Sequence, residues 1–190
     1  MFSILLIRLL DIIISLIIII ISLPIIIFSC VFIFIFNGLP IFYVSERVGR
    51  NGKLFKMYKL RTMKNKINSN EEDKITKIGK FLRRTSLDEV PQTLNILKNE
   101  MSLVGPRPLP PNVESQIFIN NRNFRRLVKP GITGYSQIKY NKKRRNWDEK
   151  SDLDIKFVKE YSIFKYIHII LLTFPTIIKR FRFNKKGRTL

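Results

Sequence analysis

Asp88 and Glu89 stand side by side in SLDEVPQ, residues 86 to 92, in a chain with 35 Lys and Arg but only 14 Asp and Glu. Two adjacent carboxylates can supply a nucleophile or a mount for a divalent cation. Either role needs ionised acid, and Arg83 and Arg84 just upstream supply charge that favours it. The pattern S-x-x-E also fits a plain helix capping box, with Ser86 as cap and Glu89 reaching back. Pro91 argues against that simple reading. A helix begun at Ser86 would put the proline in its second turn, where a backbone donor is wanted. The expectation is a kinked helix start whose N–H groups and dipole keep a carboxylate ionised.

Arg107 is the cation least easily read as ordinary surface. It lies between Pro106 and Pro108, which hold the backbone extended around it. A guanidinium fork on a rigid turn suits bidentate phosphate binding. Lys59 and Arg61 occupy alternate positions and so share one strand face. The arginine pair 83–84 alone would usually be a solvated face. Trp147 and Tyr135 suit stacking on a base or packing in a core, and core is the simpler reading.

The net charge of +21 calls for an anionic partner: nucleic acid, an acidic membrane surface or phosphorylated substrates. Abundant Ile, Lys and Asn also point to compositional bias, which accounts for part of the lysine excess. Cys30 is the only cysteine and His168 the only histidine. An intrachain disulfide is therefore excluded, and a zinc site is disfavoured.

These residues must be positioned by the elements around them. Residues 12 to 36 carry no charge and would extend roughly 37 Å as a helix, longer than one bilayer crossing needs. No cleavage site follows, so the segment enters a membrane and stays. Pro24 kinks it. Arg8 precedes it, and Arg47, Arg50 and Lys53 follow. A kinked spanning helix is one answer. A re-entrant hairpin with both basic flanks on one side is the other. The residues alone do not choose between them.

Asn51-Gly52 marks a β-hairpin turn. Residues 64–73 read as a loop, and TKIGKFLRRT, residues 76–85, as a short helical face with apolar residues at 78, 81 and 82. From Pro91 the chain reads as one helix with Leu94, Leu97 and Met101 on a shared face. SLVGPRPLPP and PGITG read as rigid turns, and NKKRRN as a basic loop. A helix follows Trp147, with Leu153, Phe157 and Tyr161 at a spacing of four. Residues 166 to 178 are apolar but too short to span, so an interfacial or core helix is expected. Residues 184–190 are a basic tail, expected to be disordered.

Four segments taken in order, RVGRNGKLFKMYKLRTM, TKIGKFLRRTSLDEVPQTLNILKNEMSLVGPRP, KPGITGYSQ and WDEKSDLDIKFV, resemble the bacterial sugar transferases, and more narrowly their small monotopic phosphoglycosyl transferases. The likeness covers nearly the whole chain. It implies transfer of a sugar 1-phosphate from a UDP-sugar to a polyprenol phosphate such as undecaprenyl phosphate. UMP leaves, and a surface glycan begins: capsule, O-antigen, exopolysaccharide or glycoprotein glycan. The family's Asp-Glu pair falls on Asp88 and Glu89. By that likeness Asp88 attacks the β-phosphate and carries a covalent phosphosugar. Glu89 assists with Mg²⁺ (Mn²⁺ is the alternative) and with the incoming phosphate, and both acids serve as metal ligands. Lys59, Arg61, Arg84, Arg107 and Gln137 form the substrate-binding set.

The implied architecture is α+β, mostly helical with a small β-hairpin, and with interfacial amphipathic helices. A re-entrant membrane helix occupies residues 1–40, bending at Ser22 and Pro24, and a catalytic domain occupies 41–183. The likeness tips the open choice towards the re-entrant form. It also implies the cytoplasmic face of the bacterial inner membrane. The chain is expected to be of the minimal kind, without a multi-helix extension ahead of it. Expected partners are the UDP-sugar, polyprenol phosphate, membrane lipids and downstream glycosyltransferases, with no nucleic acid.

The chain departs from the family pattern in three places. Leu23 replaces the usual Ser before the proline, Asn99 replaces a Gly, and KYNKKRRN replaces a Gly-Arg-Asn element after Gln137. Sugar specificity therefore does not carry over. Two rival readings stay open: a membrane-anchored basic nucleic-acid-binding protein, and a non-catalytic scaffold for glycan enzymes. The second should tolerate loss of Asp88.

Overall fold

The computed structural model describes residues 2–64, 74–139 and 147–183. The basic loop 141–146, nearly all of the polar loop 64–73 and the tail lie outside them. Helix α1 spans Phe2–Asn37. Ile and Phe are mediocre helix formers in water, but in lipid every backbone group must be satisfied within the segment, and a helix does that. The helix continues through Pro24, so no break in it marks the expected hairpin. Pro24 takes the donor from the carbonyl of Ile20, four residues back. Two residues earlier, Ser22 Oγ donates to Ile18 O, with Ile19 O at 3.4 Å.

One face of α1 is buried along its length, through Ile7, Asp11, Ser15, Ser22, Ser29 and Ile33. These positions recur at helical spacing. Ile7 belongs to the main core, and Leu10, Ile14 and Ile18 pack against it. Ile33 forms a second cluster with Leu60 and Leu82, packed by Ile26 and Cys30. Arg8 donates to Ile96 O at 2.7 Å and Leu97 O at 3.1 Å. Buried Asp11 accepts from Leu103 N at 2.7 Å, Ser102 Oγ at 3.0 Å and Tyr166 Oη at 2.5 Å. At the far end Asn37 Nδ2 donates to Thr76 Oγ1 at 3.4 Å, and its carbonyl accepts from Arg61. Both ends of α1 are thus bonded to the same following domain.

Strands β1 (Phe42–Val48) and β2 (Leu54–Leu60) pair antiparallel, with Val48 opposite Leu54. Asn51 (φ 56°) and Gly52 (φ 76°) turn the hairpin in left-handed backbone, the conformation this pair accepts readily. Helix α2 (Lys77–Thr85) is capped by Thr76 Oγ1, which accepts from Gly79 N at 3.0 Å. A Cβ on Gly79 would collide with the carbonyl of Thr62, so only glycine lets α2 sit against the chain leaving β2.

A 3₁₀ turn, Leu87–Gln92, leads into α3 (Thr93–Leu97). The expected longer helix is cut short. Asn99 has φ 69°, the left-handed position that ends helices and that Gly fills best, with Asn tolerated. Asn95 and Ile96 therefore take the buried positions, Leu94 is exposed, and Met101 reaches the core from beyond the helix.

The turn-like segments SLVGP and PGITG hold a second sheet. Strands β3 (Ser102–Val104) and β4 (Gly131–Thr133) pair in parallel, Ser102 opposite Gly131. Between them lie α4 (Pro111–Glu114) and α5 (Ile119–Arg125). After them come α6 (Tyr135–Lys139), α7 (Trp147–Lys159) and α8 (Ile163–Phe183). Tyr166 and Ile169 of α8 are fully buried in the main core, while Phe164, Leu171, Phe174 and Ile178 are exposed.

Candidate active site

Ser86 closes α2 in left-handed backbone (φ 59°), its N–H bonded to Leu82 O, and its side chain makes no cap bond to the following turn. The capping-box reading therefore fails. The Glu89 carboxylate lies 2.6 Å from Lys59 Nζ. Asp88 and Glu89 occupy the first turn of the 3₁₀ segment.

Asp88 is buried. Burial, then the neighbouring Glu89 charge, push its carboxyl from an ordinary 3.8 up to about 6, against the pull of Lys59, Arg83 and its own backbone N–H. Local N–H groups are expected to keep this acid ionised; desolvation outweighs them, so it is ionised only above about pH 6.

The pair opens on a cavity of about 970 Å³, at the upper end of the ~300–1,000 Å³ typical of ligand sites. Lys59, Arg61, Arg107 and Gln137 line it together with Asp88 and Glu89. Lys59 follows Phe55 and Met57, both buried, at the two-residue period of β2. Arg61 lines the wall while its guanidinium donates to the last carbonyl of α1. Gln137 Nε2 donates to Ile132 O at 3.0 Å, and its Oε1 is buried without a partner among the described residues.

Arg84 does not line the cavity; Arg83 does, its Nε donating to Thr62 Oγ1 at 2.8 Å. Gly79 and Leu82 are the buried positions of α2. Arg83, four residues after Gly79, shares that face, and Arg84 is turned about 100° away from it.

Arg107 projects from a clamped peptide. Its carbonyl accepts from Arg125 Nη2 at 2.7 Å. Beneath it Arg125 pairs with Glu114 at 2.7 Å and Asp154 at 3.2 Å, all three about 95% buried or more. Burial raises the Asp154 pKa despite Arg125. Sequence reasoning missed this network, because an Arg pair in a polar stretch looks like a solvated face. It also missed Arg47 of β1, which faces the cavity, half-buried, with Nε on Ser45 Oγ at 3.2 Å. Burial, partly offset by Tyr43 and reinforced by Arg107, lowers its pKa.

Among the described residues no three His, Cys, Asp or Glu side chains gather as a metal cluster. Asp88 and Glu89 nonetheless fit a hard divalent cation. Their mutual repulsion is what a cation relieves, and Mg²⁺ commonly takes one or two carboxylates plus substrate phosphates and water.

A long apolar helix carrying a small α+β domain, with an acid pair in a cationic cavity, defines a membrane-associated protein with a site for an anionic ligand. Residues 2–180 match the family model described as Bacterial sugar transferase, and the chain belongs to that family. It is 40% identical over 161 residues to "Galactosyl transferase CpsE" of Streptococcus agalactiae, covering 75% of this chain and 35% of the relative. It is 38% identical over 146 residues to "Uncharacterized sugar transferase EpsL" of Bacillus subtilis, covering 74% and 71%. It is 37% identical over 147 residues to "UDP-glucose:undecaprenyl-phosphate glucose-1-phosphate transferase" of Escherichia coli, covering 70% and 32%. The chain thus spans about a third of the first and third of these relatives.

Proposed function

We propose that this chain is a phosphoglycosyl transferase that moves a sugar 1-phosphate from a UDP-sugar to a polyprenyl phosphate and releases UMP. The observation that carries the reading is Asp88: a buried carboxyl whose pKa burial and the Glu89 charge raise to about 6 against the pull of Lys59 and Arg83, on a cavity rich in arginine and lysine. The name of the Escherichia coli relative supports the substrate classes.

In the proposed first step an Asp88 carboxylate oxygen bonds to the β-phosphorus. The bond from that phosphorus to the bridging oxygen breaks, and UMP leaves. In the second, a lipid phosphate oxygen attacks the acyl phosphate and Asp88 departs as carboxylate. Arg107 and Arg47 neutralise donor phosphates, and the Asp154–Arg125 clamp keeps Arg107 from swinging away. Lys59 holds Glu89 in place. Asp88 and Glu89 would hold Mg²⁺ with substrate phosphates, and the ion would supply charge neutralisation at the reacting oxygens.

The same reading takes α1 as monotopic, entering one leaflet from the cytoplasmic side. Support comes from its ends, since Arg8 and Asn37 both bond to the one domain. The test is UMP release from UDP-glucose and UDP-galactose by purified protein in detergent with undecaprenyl phosphate. Trapped protein should carry a phosphosugar on Asp88. A scaffold, or a nucleic-acid-binding protein, would release no UMP.

A further inference from the structure

Helix α8 has adjoining faces with different surroundings. Thr173, Thr176 and Ile177 line the cavity that holds Asp88. Leu171, Phe174 and Ile178, one helical step around, are bare and apolar. Tyr43 of β1 lines the same cavity and is itself about half exposed. It stands just beyond the end of α1. On α8, then, the polar cavity passes straight into an exposed apolar rim, and half-exposed Tyr43 stands at the cavity's edge on β1. Arg83, Lys64 and Lys74 line this cavity too. Arg47, Arg107 and Gln137 also border a small adjoining recess of about 30 Å³ that no residue of α8 reaches.

The threonines of this wall have committed their protons. Thr173 Oγ1 donates to Ile169 O and Thr176 Oγ1 to Leu172 O, each at 2.8 Å. Thr173 Oγ1 also lies 2.9 Å from Thr133 Oγ1. The wall is therefore uncharged and carries no spare donor for a phosphate. It selects by shape, and the neighbouring cations supply the neutralisation. An amphiphile with a phosphate head and a branched apolar tail fits such a boundary. A fully water-soluble donor has no use for it.

We propose that the α8 wall, Thr173, Thr176 and Ile177, together with Tyr43 forms the acceptor subsite. It admits the head of a prenyl phosphate to Asp88 and holds the first isoprene units at the rim. This rests on the function proposed above and names the wall that serves its second step. There, a lipid phosphate oxygen bonds to the phosphorus carried by Asp88. The bond from Asp88 to that phosphorus breaks, and its electron pair returns to the carboxylate.

The experiment uses the full chain in detergent, with Ile177→Trp and Tyr43→Ala on the two rims. It reads KM for undecaprenyl phosphate, KM for the UDP-sugar, and exchange of labelled UMP into UDP-sugar without lipid. Ile177→Trp should raise the lipid KM about tenfold, equivalent to about 1.4 kcal/mol. Tyr43→Ala should move the same constant in the same direction. For both, the ratio of lipid transfer to UMP exchange should fall. Equal changes in the two KM values, or an unchanged lipid KM in both variants, would overturn the subsite. A wild-type protein that transfers to lipid but shows no exchange would overturn the two-step chemistry instead, while the KM split still decides the wall.

Discussion

Lys59 Nζ sits 2.6 Å from Glu89 Oε1, and the residue before Glu89 is buried Asp88. The two neighbouring acids therefore live differently. Glu89 has a direct cationic partner. Asp88 makes no salt bridge among the described residues and takes the cost of burial. A buried carboxyl whose pKa is raised to about 6, beside one paired directly with a lysine, is a pairing suited to nucleophilic work.

The acid limb of the pH profile should report Asp88. Its pKa is raised to about 6, so below that pH it is protonated and cannot attack. The rate constant for UMP release should fall about tenfold per pH unit below about 6 and level off above it. A profile flat down to pH 4.5 would exclude Asp88 as the nucleophile.

Asp88→Asn should abolish turnover, by several orders of magnitude, and should stabilise the fold at neutral pH. Because its folded pKa is raised, the folded protein keeps a proton that the unfolded chain releases, from about pH 4 up to about 6. Stability is lost as pH rises through that window. The shift from 3.8 to about 6 is worth on the order of 3 kcal/mol at pH 7.5. Thermal melts of wild type and variant at pH 7.5 and at pH 4 should show a gain at the higher pH that shrinks at the lower. A variant less stable than wild type at pH 7.5 contradicts this.

Arg107→Lys keeps the charge but loses the fork, so KM for the UDP-sugar should rise clearly. Arg125→Ala should do worse. It strands Asp154 in the interior, leaves buried Glu114 with Arg126 alone at 3.3 Å, and should cost about 3–5 kcal/mol. Melting curves and donor KM measured together separate the two variants. An Arg125→Ala protein as stable as wild type would mean the network is not a clamp.

Chelation tests the acid pair as a cation mount. Exhaustive EDTA treatment should stop UMP release, with Mg²⁺ restoring it and Mn²⁺ as an alternative. Undiminished turnover after chelation rules the cation out.

Topology is readable with cysteines at Ser3 and Asn51, after Cys30→Ser. Both ends of α1 are bonded to the same domain, so both new thiols should resist a membrane-impermeant reagent in intact cells and label once the membrane is opened. Labelling of position 3 from outside makes α1 a crossing helix.

How much of this was legible without coordinates follows from the range of each interaction. The hairpin at Asn51-Gly52 was readable because turn chemistry is local to two residues. The membrane segment was readable because an uncharged run of that length has few other fates. The acid pair and Arg107 were readable as candidates because the family motif carries them in order. Other features were settled only by packing. Arg83 rather than Arg84 faces the cavity because Gly79 sets which side of α2 touches the strand. Asp88 is pushed towards neutrality by elements distant in sequence that exclude water from it. Arg125 becomes a buried clamp because α4, α5 and α7 close around it, with partners 11, 29 and 18 residues away. The parallel pair β3–β4 joins segments that each read as turns. Strand pairing is a property of two distant segments together, and neither carries it alone. Local chemistry named the reacting groups; their burial, their partners and the faces they present arose only when the chain closed on itself.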